Sequence, residues 1–229
     1  MITCIMQPTY LPWIGYFAIL KQCQQFIILD DVQFNKRSWQ QRNKIKSQGN
    51  EIILTVPVIS KNKQHQRINE VLIDVSRNFR HKHIKSLSVN YSKSKYFNEI
   101  QNDLFDILNF PYQKLIDLNV NLIKYFINYL DINIKINYSS FYKSNNSKDQ
   151  LIFDLCKLSN TKEYLSPIGA KAYLNENNLE KFYKNNIRVN FFNYNVNEYK
   201  QLNGNFISNL SIVDLIFNEG KNSKNYLNT

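Results

Sequence analysis

Two short apolar runs enclosing a helical one, between Ile2 and Leu29, constrain the fold more than any other feature of the chain. Ile2 to Met6 (ITCIM) is short, apolar and β-branched, as a buried strand is. Ile14 to Cys23 predicts a helix. Trp13, Tyr16, Phe17 and Leu20 share one face, and Ile14 and Ala18 widen it, so most of the helix should be buried. Phe26 to Leu29 is a second strand. Strand, helix and strand in fewer than 30 residues make a βαβ unit, which requires a parallel pair and a right-handed crossover. The expected fold class is therefore α/β, with a parallel-sheet, Rossmann-like core.

The rest of the chain continues the alternation. Glu51 to Val58 (EIILTVPV) reads as a strand stopped near Pro57, and Val71 to Val75 as another. Helices are expected over Arg77–Asn90, Tyr96–Leu108 and Pro111–Leu130, the last with proline in its first turn. These form a helix-rich middle insertion, and residues 77–130 are a candidate lobe within a single domain spanning 1–229. Ile134–Tyr138, Glu163–Ser166 and Ile187–Asn193 are expected strands. Lys148–Leu158, Leu179–Lys184 and Leu210–Gly220 are expected helices.

Composition narrows the classes of function. No apolar run is long enough to span a bilayer, and no Lys or Arg precedes Lys21 to make the basic start of a secretory signal. A cytoplasmic protein is expected. Cys4, Cys23 and Cys156 lack metal-ligand spacing and suit reduced, buried thiols. His81 and His83, two residues apart on a helix, cannot turn both rings to one metal, so no metal site is expected. The net charge of +11 invites an anionic partner. The plainer explanation is an A/T-rich codon bias, which fills a chain with Asn, Lys, Ile, Tyr and Phe.

Ligands of open parallel sheets bind beyond the carboxyl ends of the strands. Residues 7–13 and 30–34 are two such exits. Gln7 can donate and accept hydrogen bonds, Pro8 and Pro12 stiffen the loop, and Tyr10 and Trp13 offer flat faces suited to a base or sugar ring. Gly15 and Tyr16, at the helix start, would allow a phosphate to approach. The competing reading is a rigid loop whose rings fill the core. Asp30 and Asp31 could hold Mg²⁺, act as a base, or receive a hydroxyl or amine, with Gln33 beside them; one can face a site while the other caps a turn. Arg42 and Asn43, with Lys44, Lys46, Lys36 and Arg37, form a candidate anion clamp or a solvated basic surface. Ser166 and Tyr173 mark a third strand exit. Ser211 with Asp214 reads as a capping box.

The blocks QPTYLPWIGYF, FIILDDVQFNKRSWQQRNKIK, LTVPV, YLSPIGAKAYL and FISNLSIVDLIFNEG, in that order, resemble the WbqC-like family of bacterial proteins associated with O-antigen and other surface-polysaccharide gene clusters. The resemblance runs from Gln7 to Gly220, with Pro167 standing where the family tends to have glycine. It implies a transferase that builds or modifies surface glycans, attaching acyl or aminoacyl groups to amino sugars. The strand, proline loop and Gly-aromatic helix start are also similar to the nucleotidyltransferase-like fold of pantothenate synthetase and some aminoacyl-tRNA synthetases. There a Gly-His pair contacts ATP; here the pair is Gly15-Tyr16, so ATP chemistry would need a cation from 36–46.

The expected function is amide formation on a nucleotide-linked amino sugar, within O-antigen-type lipopolysaccharide biosynthesis. Gln7 and Asp30 or Asp31 would do the chemistry, and Arg42 would bind diphosphate. The acyl donor would arrive as an adenylate formed with ATP and Mg²⁺, an acyl-thioester or an aminoacyl-tRNA. A tRNA-binding module would instead show steep salt dependence. A non-catalytic partner in glycan assembly would show an exposed apolar patch and no small-molecule cavity.

Overall fold

In the computed structural model, residues 1–172, 174 and 176–228 are described. Five strands form one parallel sheet: β1 (Ile2–Met6), β2 (Gln25–Ile28), β5 (Lys135–Tyr138), β6 (Glu163–Pro167) and β7 (Arg188–Phe192), in the order β5-β2-β1-β6-β7. The predicted βαβ unit is present. β1 pairs in parallel with β2, Cys4 opposite Phe26 and Met6 opposite Ile28, with α1 (Ile14–Lys21) between them in sequence. The chain builds outward from β1 to β2 to β5, then returns to the other side of β1 to add β6 and β7. The order reverses between β1 and β6, as in a Rossmann-like sheet.

Every residue of α1 from Ile14 to Leu20 is buried, which explains why its sequence is apolar almost all round. Phe17 meets Phe126 of α4 (Leu115–Tyr129) edge-on at 5.7 Å between ring centroids, so the helix-rich middle joins the core beneath the sheet. That middle also contains α2 (Phe79–Tyr91) and α3 (Phe97–Asn109). The remaining helices are α5 (Lys148–Leu158), α6 (Glu176–Lys184) and α7 (Ile212–Glu219).

Three segments differ from expectation. Arg42–Ser47 is a strand, β3, paired antiparallel with β4 (Asn50–Thr55) in a hairpin outside the main sheet. Gln48 and Gly49 both take positive φ (46° and 84°), as a two-residue hairpin turn requires. Helix α4 starts at Leu115, not at Pro111. Lys114 bridges Leu72, and the Ile73 N–H donates to the Gln113 carbonyl, so the preceding residues are drawn into extended pairing with 71–73. This pairing takes the place of the strand expected over Val71–Val75. Finally, Ser211 caps α7 by accepting from the Val213 N–H, but Asp214 makes no capping box. Its carboxylate is buried and accepts from the hydroxyls of Tyr91 (2.8 Å) and Tyr199 (2.7 Å).

Candidate functional site

A cavity of about 1060 Å³ opens over the carboxyl ends of β1, β2 and β5. Gln7 reaches it from the end of β1. Leu29, Asp31, Val32 and Gln33 line it from the end of β2, and Arg67 and Asn69 from the segment crossing above. The far wall is Ser140 and residues 143–148, running from the end of β5 into the N-terminus of α5. The cap residue Ser147 makes no side-chain cap bond, and the Asp149 carboxylate takes the backbone N–H groups of Asp149 and Gln150 in the first turn of α5.

The two aspartates divide the roles that the sequence left open. Asp30 is buried, and its carboxylate is filled by protein donors. The Ser140 N–H (3.0 Å) and Ser140 hydroxyl (2.8 Å) donate to it, as does the Asn69 amide (3.3 Å), and the Ser139 hydroxyl lies 2.9 Å away. It ties the end of β2 to the turn after β5 and does not line the cavity. Asp31 is half-buried, lines the cavity, and has the Ser139 hydroxyl as its hydrogen-bond partner. Asp31 is thus the carboxylate presented to the cavity.

Three cations share this cavity: Arg67, Lys143 and Lys148. None forms an ion pair among the described residues. Against them stands one lining carboxylate, Asp31, so the cavity favours an anion. The remaining lining is rich in hydroxyls and amides (Asn35, Ser144, Asn145, Asn146), which suits a phosphorylated or sugar-like ligand.

Gln7 accepts from the Gln40 amide (2.8 Å), while the Asn119 amide donates to the Pro8 and Gln40 carbonyls (3.3 and 2.7 Å), so the loop after β1 is anchored from below. Tyr10 does not reach the cavity. It is fully buried, its hydroxyl 2.7 Å from His83 Nδ1. Asn43 is buried too, and its amide donates to the Tyr10 (3.2 Å) and Leu11 (2.8 Å) carbonyls, holding Leu11 at a φ of 42°. Tyr16 is buried and donates to the Gln7 carbonyl at 3.2 Å.

Gly15 is small for a reason other than phosphate. A Cβ there would lie 2.2 Å from the Trp13 indole, which occupies that space. Arg42 lies over the Trp39 ring, 5.8 Å from its centroid, with its Nε buried and unpartnered. It stands in β3, outside the cavity, as do Lys44, paired with Glu51 at 2.6 Å, and Lys46, buried against Gln201 and Asn205. Lys36 and Arg37 line a different pocket with Arg77 and Lys82. Ser166 is fully buried at the end of β6, 3.2 Å from the Tyr164 hydroxyl. Tyr173 lies outside the described residues. The cavity therefore gathers Gln7, Asp31 and Gln33 from the predicted set, and Asp30 stands behind it.

The sequence reading missed Arg67, Asn69, Ser139, Ser140, Lys143 and Lys148. A signal for the last four was present: SSFYKSNNSK directly follows a predicted strand, which makes it another strand exit at the same sheet edge.

A Rossmann-like α/β protein with an anion-accepting cavity over its strand ends is the class that fold and geometry define. The model of the WbqC-like protein family matches residues 7–226, and the chain belongs to that family. It is similar to the uncharacterized protein Rv1507c of Mycobacterium tuberculosis (strain ATCC 25618 / H37Rv), at 36% identity over 225 residues, covering 97% of this chain and 96% of that protein. No solved structure matches the chain. Among the described residues, no helix is long and apolar enough to cross a membrane.

Proposed function

We propose that the chain is a transferase of bacterial surface-glycan synthesis that forms an amide on a nucleotide-linked amino sugar, using an activated acyl or aminoacyl donor. The observation that carries this reading is the placement of Asp31 in one cavity with three unpaired cations. Arg67, Lys143 and Lys148 would bind the diphosphate, replacing Arg42 in that role. Gln7 and Gln33 would orient the sugar.

In the reaction, the amine nitrogen attacks the acyl carbonyl carbon. The new C–N bond forms, and the bond to the activating group breaks with its electron pair leaving on that group. The proton released by nitrogen passes to the Asp31 carboxylate, whose hydrogen bond from Ser139 holds it in place. The amine attacks as its free base, its ammonium proton having gone to solvent beforehand, and the second proton, released as the C–N bond forms, is the one Asp31 accepts. The nucleotide-linked sugar and either an acyl-thioester or an aminoacyl-tRNA would be the partners, all of them cytoplasmic.

The test is a thermal-shift panel of nucleotide-linked sugars with and without a free amine, followed by mass spectrometry of the sugar after incubation with candidate donors. Ligand binding raises the melting temperature by mass action. Asp31→Asn should keep the shift and lose the acylated product, whereas Lys143→Ala should lose the shift. Normal turnover in Asp31→Asn would sink the proposal.

A further inference from the structure

A second, smaller pocket of about 320 Å³ lies on the other side of the loop after β1, bounded by Thr9, Trp13, Tyr16, Trp39 and Asn209. The chain has two tryptophans, and both line this pocket. Trp39 leaves 48% of its surface exposed, an unusual position for so large an apolar ring. Both residues nevertheless have close neighbours. The Trp39 carbonyl accepts from the Tyr10 N–H at 3.1 Å, and the Arg42 guanidinium covers its ring. Trp13 fills the space left by Gly15 and meets Tyr194 edge-on at 6.0 Å between centroids.

Asn43 and Lys44 near these rings are committed, while the Thr9 hydroxyl is buried without a partner. Asn43 spends its amide on two backbone carbonyls and its Oδ1 on the Lys44 N–H, and the Lys44 ammonium is paired with Glu51. A pocket lined by two indoles recognises chiefly the face of a flat ring, with the Thr9 hydroxyl able to meet one polar group on its edge.

We infer that this pocket binds a nucleobase, stacked on Trp39 and Trp13, and that the base is the adenine of the acyl donor. The choice of adenine rests on the transferase reading. An adenylate and the 3′ end of an aminoacyl-tRNA carry adenosine next to the activated acyl group, and a coenzyme A thioester carries it at the far end of a long pantetheine arm. The placement fits. Gln7 lines the anion-accepting cavity, and Thr9, two residues further on, lines the tryptophan pocket. One short loop separates the two ligands, so the acyl group of one and the amine of the other would meet across it.

The test is a titration of the full chain with adenosine, AMP, coenzyme A and uridine, read by tryptophan fluorescence and repeated by calorimetry. Because both fluorophores line the pocket, a change in emission reports on this place. Adenosine is expected to change the emission saturably. Trp39→Ala should weaken it about tenfold or more by calorimetry, and Trp39→Phe should keep most of the affinity. Tighter binding of AMP than of coenzyme A would point to an adenylate, and the reverse to a thioester. Uridine binding as well as adenosine would overturn the assignment to the donor. Absence of any saturable response, or binding unchanged in both Trp39→Ala and Trp13→Phe, would overturn the pocket itself. The two readings fail separately: Lys143→Ala should weaken nucleotide-sugar binding and leave adenosine binding intact.

Discussion

The Ser139 hydroxyl stands between two carboxylates, 2.9 Å from Asp30 Oδ1 and 2.5 Å from Asp31 Oδ1. A hydroxyl has one proton to donate. Asp30 already has Ser140 and Asn69 as donors, so that proton is free for Asp31. The Ser139 oxygen also accepts from the Asp30 N–H at 3.0 Å. Loss of the hydroxyl would therefore leave a buried backbone donor without a partner.

The two aspartates should consequently separate under mutation. Asp30→Ala strips the buried donors of Ser140 and Asn69 of their acceptor and should cost on the order of 2–4 kcal/mol in chemical denaturation. Asp31→Asn, at a half-buried position with one partner, should change stability by less than about 1 kcal/mol while abolishing turnover. Ser139→Ala should fall between them in stability, at about 1–3 kcal/mol, and should lower turnover by releasing Asp31. Equal stability losses at Asp30 and Asp31 would contradict this division.

Gly15→Ala should destabilise the protein, opposite to the usual sign for such a change inside a helix. Alanine normally gains about 1 kcal/mol over glycine in a helix. Here the added Cβ would lie 2.2 Å from the Trp13 ring, which must move. Overpacking of this kind costs about 1–3 kcal/mol. Denaturant melts would read the sign, and a shifted tryptophan emission maximum in the folded variant would show that the ring was displaced.

The parts of this fold that were legible in the sequence are those set by local pattern. ITCIM, the apolar face of IGYFAILK and FIIL specify a βαβ unit because burial on both sides of a parallel strand leaves a continuous apolar run. The hairpin at 42–55 was read only in its second half. RNKIKS carries three cations and looks like surface, yet Lys46 is buried by partners at Gln201 and Asn205, more than 150 residues away in sequence. The candidate site divides in the same way. Asp31 and Gln7 follow strands that local pattern reveals. Arg67 and Asn69 reach the cavity because the Asn69 N–H is held by the Asp30 carbonyl at 2.9 Å, a contact no local pattern encodes.

Acid should weaken the fold through His83. Burial holds its pKa down at about 4 from an ordinary 6.5, with a backbone hydrogen bond to Thr55 acting in the opposite direction. The unfolded chain therefore takes up a proton near pH 6.5, while the folded chain resists until about pH 4. Stability is unaffected by this group above the unfolded value and falls as pH drops through the window between the two. A difference of roughly two and a half units at 1.36 kcal/mol each gives a loss of about 3 kcal/mol when the window is crossed. His83→Gln should be less stable at pH 7, having lost the Tyr10 hydroxyl contact, but should show a flatter decline between pH 6.5 and 4. An identical slope in the variant would remove His83 as the cause.

Tyr91 should matter more than Tyr199, although both hydroxyls donate to Asp214. Burial pushes the Asp214 carboxyl up, against the downward pull of the hydroxyls of Tyr199 and Tyr91. Each donor removed leaves more of that burial uncompensated. The Tyr91 hydroxyl has a second duty, accepting from the Lys46 N–H at 2.9 Å and so fixing β3 to α7. Tyr91→Phe thus orphans a carboxylate oxygen and a buried backbone donor together, whereas Tyr199→Phe orphans the carboxylate oxygen and leaves the Gln201 amide its second acceptor, the Ile207 carbonyl. The expected losses are about 3–5 kcal/mol for Tyr91→Phe and about 1–3 kcal/mol for Tyr199→Phe. Hydrogen exchange would locate the difference: the Lys46 amide should lose protection in Tyr91→Phe and keep it in Tyr199→Phe.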